Sequence, residues 1–137
     1  MINIFFEDTA EIDLTNLKIE QNIEKLAESE NRTLGDISYI LCSDNYLLDI
    51  NRQYLNHDYF TDVITFDYSE ENVISGDIFI SVDTVADNAK EYNVTFEKEL
   101  ERVMVHGVLH LVGYNDKSDS EVKQMRAKEN QYLSLFD

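Results

Sequence analysis

Two histidines four residues apart, His106 and His110, are the most chemically pointed feature of this 137-residue sequence. In a helix, that spacing places both imidazoles on one face about one turn apart. A helix offers two nitrogens to a single metal ion in this way. Gly113 follows where a helix end favours a residue free to adopt positive φ. Three residues past that break, Asp116 can reach the same ion. Two histidines and one carboxylate are a zinc donor set with one position left open, which is typical of catalytic rather than structural sites. Histidines at i, i+4 also occur in helices without any metal. The added glycine and aspartate, giving His-x-x-x-His-x-x-Gly-x-x-Asp, favour the metal. The expectation is therefore one zinc per chain on His106, His110 and Asp116. Asp119 lies close by but reads as the first turn of the next helix.

Gly107 narrows the chemistry. Zinc proteases of the His-Glu-x-x-His type carry their general base directly after the first histidine, and here that residue is glycine. A peptidase of that type would lack its base. Glycine inside a helix costs about 1 kcal/mol relative to alanine, so Gly107 implies close packing or room beside the metal. Two histidines and a carboxylate also suit ferrous oxygenases, which stay open as an alternative.

These residues need a scaffold. Apolar spacing predicts short strands at 2–6, 37–42, 62–67 and 76–82. Helices are expected over 15–30, from Ser43 or Asp44 to about Tyr54, from an Asp83 cap to about Tyr92, and from Thr95 to about Val112. Ser118 and Glu121 form a capping box for a last helix. Its apolar stripe runs Val122, Met125, Tyr132, Leu133 and Phe136, interrupted by Glu129. The chain has no proline, linker or repeat, so residues 1–137 read as one compact domain. The order does not alternate cleanly, which favours α+β: a mixed sheet of about four strands with packed helices, and a zincin-like helix and turn carrying the metal.

Composition bounds the function. The net charge of −17 opposes general nucleic-acid binding, which rests on Lys and Arg. The charge is uneven. Residues 1–96 carry 5 basic and 20 acidic side chains, whereas residues 97–137 carry 6 and 8. The chemically interesting part is thus almost neutral, and the rest reads as a solvated acidic surface. The single cysteine, Cys42, excludes an internal disulfide and reads as a buried small hydrophobe. The N-terminus MINIFFEDTAEIDL lacks the basic region of a secretory signal, and no apolar run approaches the roughly 18 residues of a membrane span. A soluble, cytoplasmic protein is expected.

The segment HGVLHLVGYND resembles the signature His-Gly-x-Leu-His-Leu-x-Gly-Tyr-Asp-His of the YbeY family of bacterial metal-dependent endoribonucleases. NRQYLNHDYFTDVITFDY is similar to that family's middle block through Asn51, Tyr54, Asp58, Thr61, Asp62, Val63 and Phe66. SGDIFISVDTVADNAKEY is similar to its strand-then-helix block through Gly76, Asp77 and Ile78. The resemblance covers most of the chain after residue 45. It implies an α+β domain with a bound zinc, hydrolysis of single-stranded RNA, association with the ribosome, and maturation of ribosomal RNA, especially the small-subunit 3′ end. His106 and His110 match the first two ligands. Asp116 stands where the third histidine would be, an oxygen ligand that changes the charge of the site by one unit. Leu55 replaces the family's arginine, and Phe60 its proline.

An RNA-cleaving site needs phosphate contacts. The candidates are Arg52 and Arg102, with Lys98 and Lys117 behind them. Arg102 lies one turn before His106 on the same face. Arg52 lies one turn before the missing arginine. Tyr114 is either a base-stacking platform or a core tyrosine. His57 reads as a loop histidine, with a fourth ligand or proton shuttle as the alternative. The rival functions are a ribosome-associated binding module with a structural metal, and another metal hydrolase such as a peptidase.

Overall fold

The computed structural model describes residues 1–55 and 63–136. Four strands, β1 (Ile2–Phe6), β2 (Thr33–Cys42), β3 (Val63–Asp67) and β4 (Val73–Ser81), form one mixed sheet of order β1-β2-β4-β3. β1 with β2 and β2 with β4 run parallel, and β3 with β4 antiparallel. The helices are α1 (Ile19–Ser29), α2 (Asp44–Ile50), α3 (Val82–Glu91), α4 (Phe96–Val112) and α5 (Asp119–Phe136). This is the α+β layering expected, in a single domain. No helix among the described residues is long and apolar enough to cross a membrane.

The period-2 pattern of the strands explains how the layers divide. Ile37, Tyr39 and Leu41 of β2, with Ile74, Ile78 and Ile80 of β4, point to one face and join α1, α4 and α5 in the main core. Cys42 and Ile64 point the other way and pack with Leu47 of α2. α4 lies at the centre. Leu100, Met104, Val108 and Leu109 are wholly buried on it. The Tyr39 hydroxyl, buried in the sheet, donates to the Met104 carbonyl at 3.0 Å and pins the helix to β2.

Several element ends differ from expectation, for local reasons. Residues 15–30 do not form one helix. A 3₁₀ turn (Thr15–Leu17) ends at Lys18, which adopts φ 49°, and α1 starts afterwards. α2 gives way after Ile50 to a five-residue π-type turn over Asn51–Leu55. α3 is capped by Ser81, whose hydroxyl accepts from the Thr84 N–H at 3.2 Å, and Asp83 sits in its first turn. β2 begins earlier, at Thr33, and reaches Ile37 through a register shift against β4.

Gly107 is a packing residue. A Cβ built on it would lie 2.7 Å from Ile78 Cγ2 and 3.0 Å from Ile78 Cδ1, so α4 rests on β4 at a distance only glycine allows. Gly107→Ala gains about 1 kcal/mol of helix propensity and loses about 1–3 kcal/mol to overpacking. A lower denaturation midpoint is the expected result. In an Ile78→Ala background the loss should disappear; an unchanged loss there would place its cause elsewhere.

Candidate metal centre

Local signals set the two ends of α4. Thr95 caps its start, its hydroxyl accepting from the Lys98 N–H at 3.2 Å. Gly113 ends it at φ 121°, returning its N–H to the carbonyls of Leu109 and His110. With Gly107 and Val108 turned to the sheet, His106 and His110 emerge on the opposite side, 19% and 24% exposed. The chain then folds back and brings Asp116 to them.

The three expected ligands meet. His106 Nε2 lies 3.0 Å from His110 Nε2 and 3.2 Å from Asp116 Oδ2, and His110 Nε2 lies 3.4 Å from the same oxygen. One face of a tetrahedron with zinc–ligand bonds of about 2.0–2.1 Å has edges near 3.3–3.4 Å. The proton positions agree with a cation. His110 Nδ1 lies 3.0 Å from the Tyr114 carbonyl, which can only accept, so Nδ1 carries the proton and Nε2 a lone pair. His106 Nδ1 donates to Glu129 Oε2 at 2.8 Å, with the same consequence. Two nitrogen lone pairs and a carboxylate oxygen thus converge on one point. A cation there satisfies all three at once. Burial, then the neighbouring His106, depresses the pKa of His110 against the opposing pull of Asp116. That direction favours the neutral imidazole, the form able to bind a metal.

Glu129 is the residue of this centre that the sequence pattern does not single out. Read as an interruption of α5's apolar stripe, it is a buried carboxylate, 4% exposed, aimed at His106. Its second oxygen accepts from Arg102 at 3.0 Å and from Arg126 at 3.2 Å. Burial pushes its pKa up; the hydrogen bond from His106 and the nearby cations outweigh this and hold it below the usual carboxylate range. A charged group inside an otherwise apolar helical stripe is the signal that could have found it. Val122, assigned to that stripe, is instead 48% exposed.

A second network fixes the turn that carries Asp116. Glu30, just past α1, accepts from the Tyr114 hydroxyl at 2.7 Å, from Lys128 at 3.2 Å and from the Tyr132 hydroxyl. Tyr114 is thereby anchored at both ends: its hydroxyl to Glu30, its carbonyl to His110. That favours the core reading of this residue over base stacking. Ser118 and Glu121 form the expected capping box, with bonds of 2.9 and 3.2 Å, and close the turn into α5.

The other candidates divide. Arg102 lines the cavity of about 270 Å³ that also contains His106 and Asp116. Its NH1 is held by Glu129 and by Asn130 at 3.2 Å. Lys98 is exposed on the first turn of α4, and Lys117 is exposed on the turn after it. Arg52 is exposed on the turn after α2, its NH1 3.9 Å from Asp49, and does not line that cavity. His57, Asp58, Phe60, Thr61 and Asp62 lie outside the described residues, as does the side chain of Leu55.

Comparison with known proteins agrees with this geometry. The family model described as endoribonuclease YbeY matches residues 3–137. A protein named endoribonuclease YbeY from Flavobacterium psychrophilum is 59% identical over 108 residues, 79% of this chain and 77% of that one. Its namesake from Flavobacterium johnsoniae is 48% identical over 136 residues, covering 99% and 97% of the two chains. A solution structure from Thermotoga maritima superposes with a TM-score of 0.69 at 34% identity, covering 99% of this chain and 89% of that one. With the match running through the histidines, the turn and the carboxylate that form the centre, this chain belongs to the endoribonuclease YbeY family.

Proposed function

We propose that this chain is a zinc-dependent endoribonuclease that hydrolyses single-stranded RNA phosphodiesters and acts in ribosomal RNA maturation at the small-subunit 3′ end and in ribosome quality control. The observation that carries the reading is the convergence of His106, His110 and Asp116 within 3.4 Å, beside a cavity that also holds two arginines. The family name adds RNA as the substrate. A precursor rRNA presented on or near the ribosome, in the cytoplasm, is the substrate that fits this reading.

His106, His110 and Asp116 would hold the zinc. When bound, it supplies a Lewis acid to a phosphoryl oxygen and makes a water more acidic near neutral pH. Glu129 and the Tyr114 carbonyl hold the two imidazoles in the tautomer that ligates. Arg102, one turn before His106, contacts a phosphate oxygen beside the centre. Arg52 is assigned a second phosphate contact only through its place in the Asn51–Phe66 block.

The test is cleavage of a precursor rRNA that carries an unprocessed small-subunit 3′ end. Wild-type protein should cut it, lose the activity on chelation and regain it when zinc is returned. His110→Ala should stay folded and not cut. Equal cleavage by both proteins would point to a contaminating nuclease and remove the assignment. A chelated protein that unfolds, with no metal-dependent cleavage at any stage, would favour a binding module with a structural metal.

A further inference from the structure

The cavity beside His106 and Asp116 does not end at those residues. It opens along α4 and α5 into a second, larger depression of about 850 Å³. The two share Tyr92, Glu99, Arg102 and Arg126. The larger depression lies in the size range of small-molecule and cofactor sites, about 300–1,000 Å³.

The residues of this groove are unusual for the chain. Among those lining the outer depression, Lys98, Arg102 and Arg126 are basic and Glu99 alone is acidic. Counting Glu129, which both arginines bond, about one net positive charge remains there in a protein of net charge −17. Tyr92, at the end of α3, is 55% exposed and faces both depressions. Arg126 bonds Glu129 through NH1, yet its side chain is 54% exposed. Its guanidinium carries five N–H donors in a planar fork suited to phosphate. An exposed aromatic ring beside a line of cations is how proteins track single strands: bases stack, and phosphates follow the charge.

We propose that this groove is a binding subsite for the single-stranded RNA flanking the scissile bond, with Tyr92 stacking on a base and Arg126 and Lys98 contacting phosphates. It rests on the RNA reading above and adds to it the direction in which the strand leaves the centre. The acidic remainder of the surface repels the backbone, so the strand is confined to the groove. Duplex RNA gains nothing from Tyr92, because its bases are already stacked.

The experiment is equilibrium binding of a fluorescent single-stranded oligoribonucleotide to zinc-loaded protein over a range of salt concentrations, with metal content measured in parallel. Tyr92→Ala should weaken binding about 5- to 150-fold, the range of a lost base–aromatic stack. Arg126→Gln should reduce the slope of log affinity against log salt by about 0.7, the release expected for one phosphate on a single strand. Both variants should keep the metal content of the wild type. Unchanged affinity in Tyr92→Ala and an unchanged slope in Arg126→Gln would overturn the groove while leaving the nuclease reading intact. Equal sensitivity of a duplex to Tyr92→Ala would also overturn it. Failure of the wild type either to bind or to cut single-stranded RNA would remove the nuclease reading, and the groove with it.

Discussion

Glu129→Ala should be the most damaging single substitution in the centre outside the three proposed ligands, His106, His110 and Asp116. The carboxylate receives His106, Arg102 and Arg126 in a buried position on α5. Its removal strands charge that burial has already desolvated. Loss of one partner of such a buried cluster typically costs about 3–5 kcal/mol. Arg102 keeps Asn130 as a partner, and Arg126 is partly solvated, which points to the lower end of that range. A second effect is separable from the first. Without an acceptor at Nδ1, the His106 ring loses its orientation and its preferred tautomer. Zinc affinity should fall about 10- to 100-fold, as it does when the hydrogen-bond partner of a ligating histidine is lost. Glu129→Gln separates the two effects. It preserves volume and one acceptor, so it should remain largely folded and still bind zinc more weakly than wild type. Denaturation midpoints without metal and zinc titrations of the folded variants read the two quantities independently. Wild-type zinc affinity in a folded Glu129→Gln would show that the carboxylate is only structural.

Asp116 is the second large effect. It replaces the histidine that the family pattern has at the third ligand position, and its Oδ2 reaches both histidine Nε2 atoms within 3.4 Å. Zinc sites in small domains bind with about 10–16 kcal/mol in all. One ligand of three or four thus accounts for about 2.5–5 kcal/mol, or roughly a 70- to 5,000-fold change in affinity. Asp116→Ala should show that loss. Asp116→His should recover binding, since it restores a ligand of the family type, while raising the net charge of the site by one. Zinc binds only the folded form, so the rise in melting temperature on adding zinc reports the affinity of each variant. A rise in Asp116→Ala equal to that of the wild type would exclude Asp116 as a ligand.

Much of this centre is legible in the amino-acid sequence alone. The i, i+4 histidines, the helix-ending glycine and the carboxylate beyond it are local features. Local geometry is what spacing encodes. The capping box at Ser118 and Glu121 and the strands at 2–6 and 37–42 are legible for the same reason. Glu129 is not, because its partners His106, Arg102 and Arg126 are brought together only by the packing of α5 on α4. The Glu30 cluster is hidden in the same way, since it joins residues 84 to 102 positions apart. Gly107 is intermediate. Its position in a helix marks a close contact, but only the register of β4 identifies Ile78 as that contact. The break at Lys18 is invisible because a lysine in the left-handed region has no sequence signature.

If one zinc sits on His106, His110 and Asp116, elemental mass spectrometry of untagged protein will count it. Wild-type protein should carry about one zinc per chain, and His106→Ala and Asp116→Ala, purified in the same way and still folded, should carry far less. A wild type that takes up no metal even after zinc is supplied, or variants that retain the full complement, would show that these residues hold no zinc.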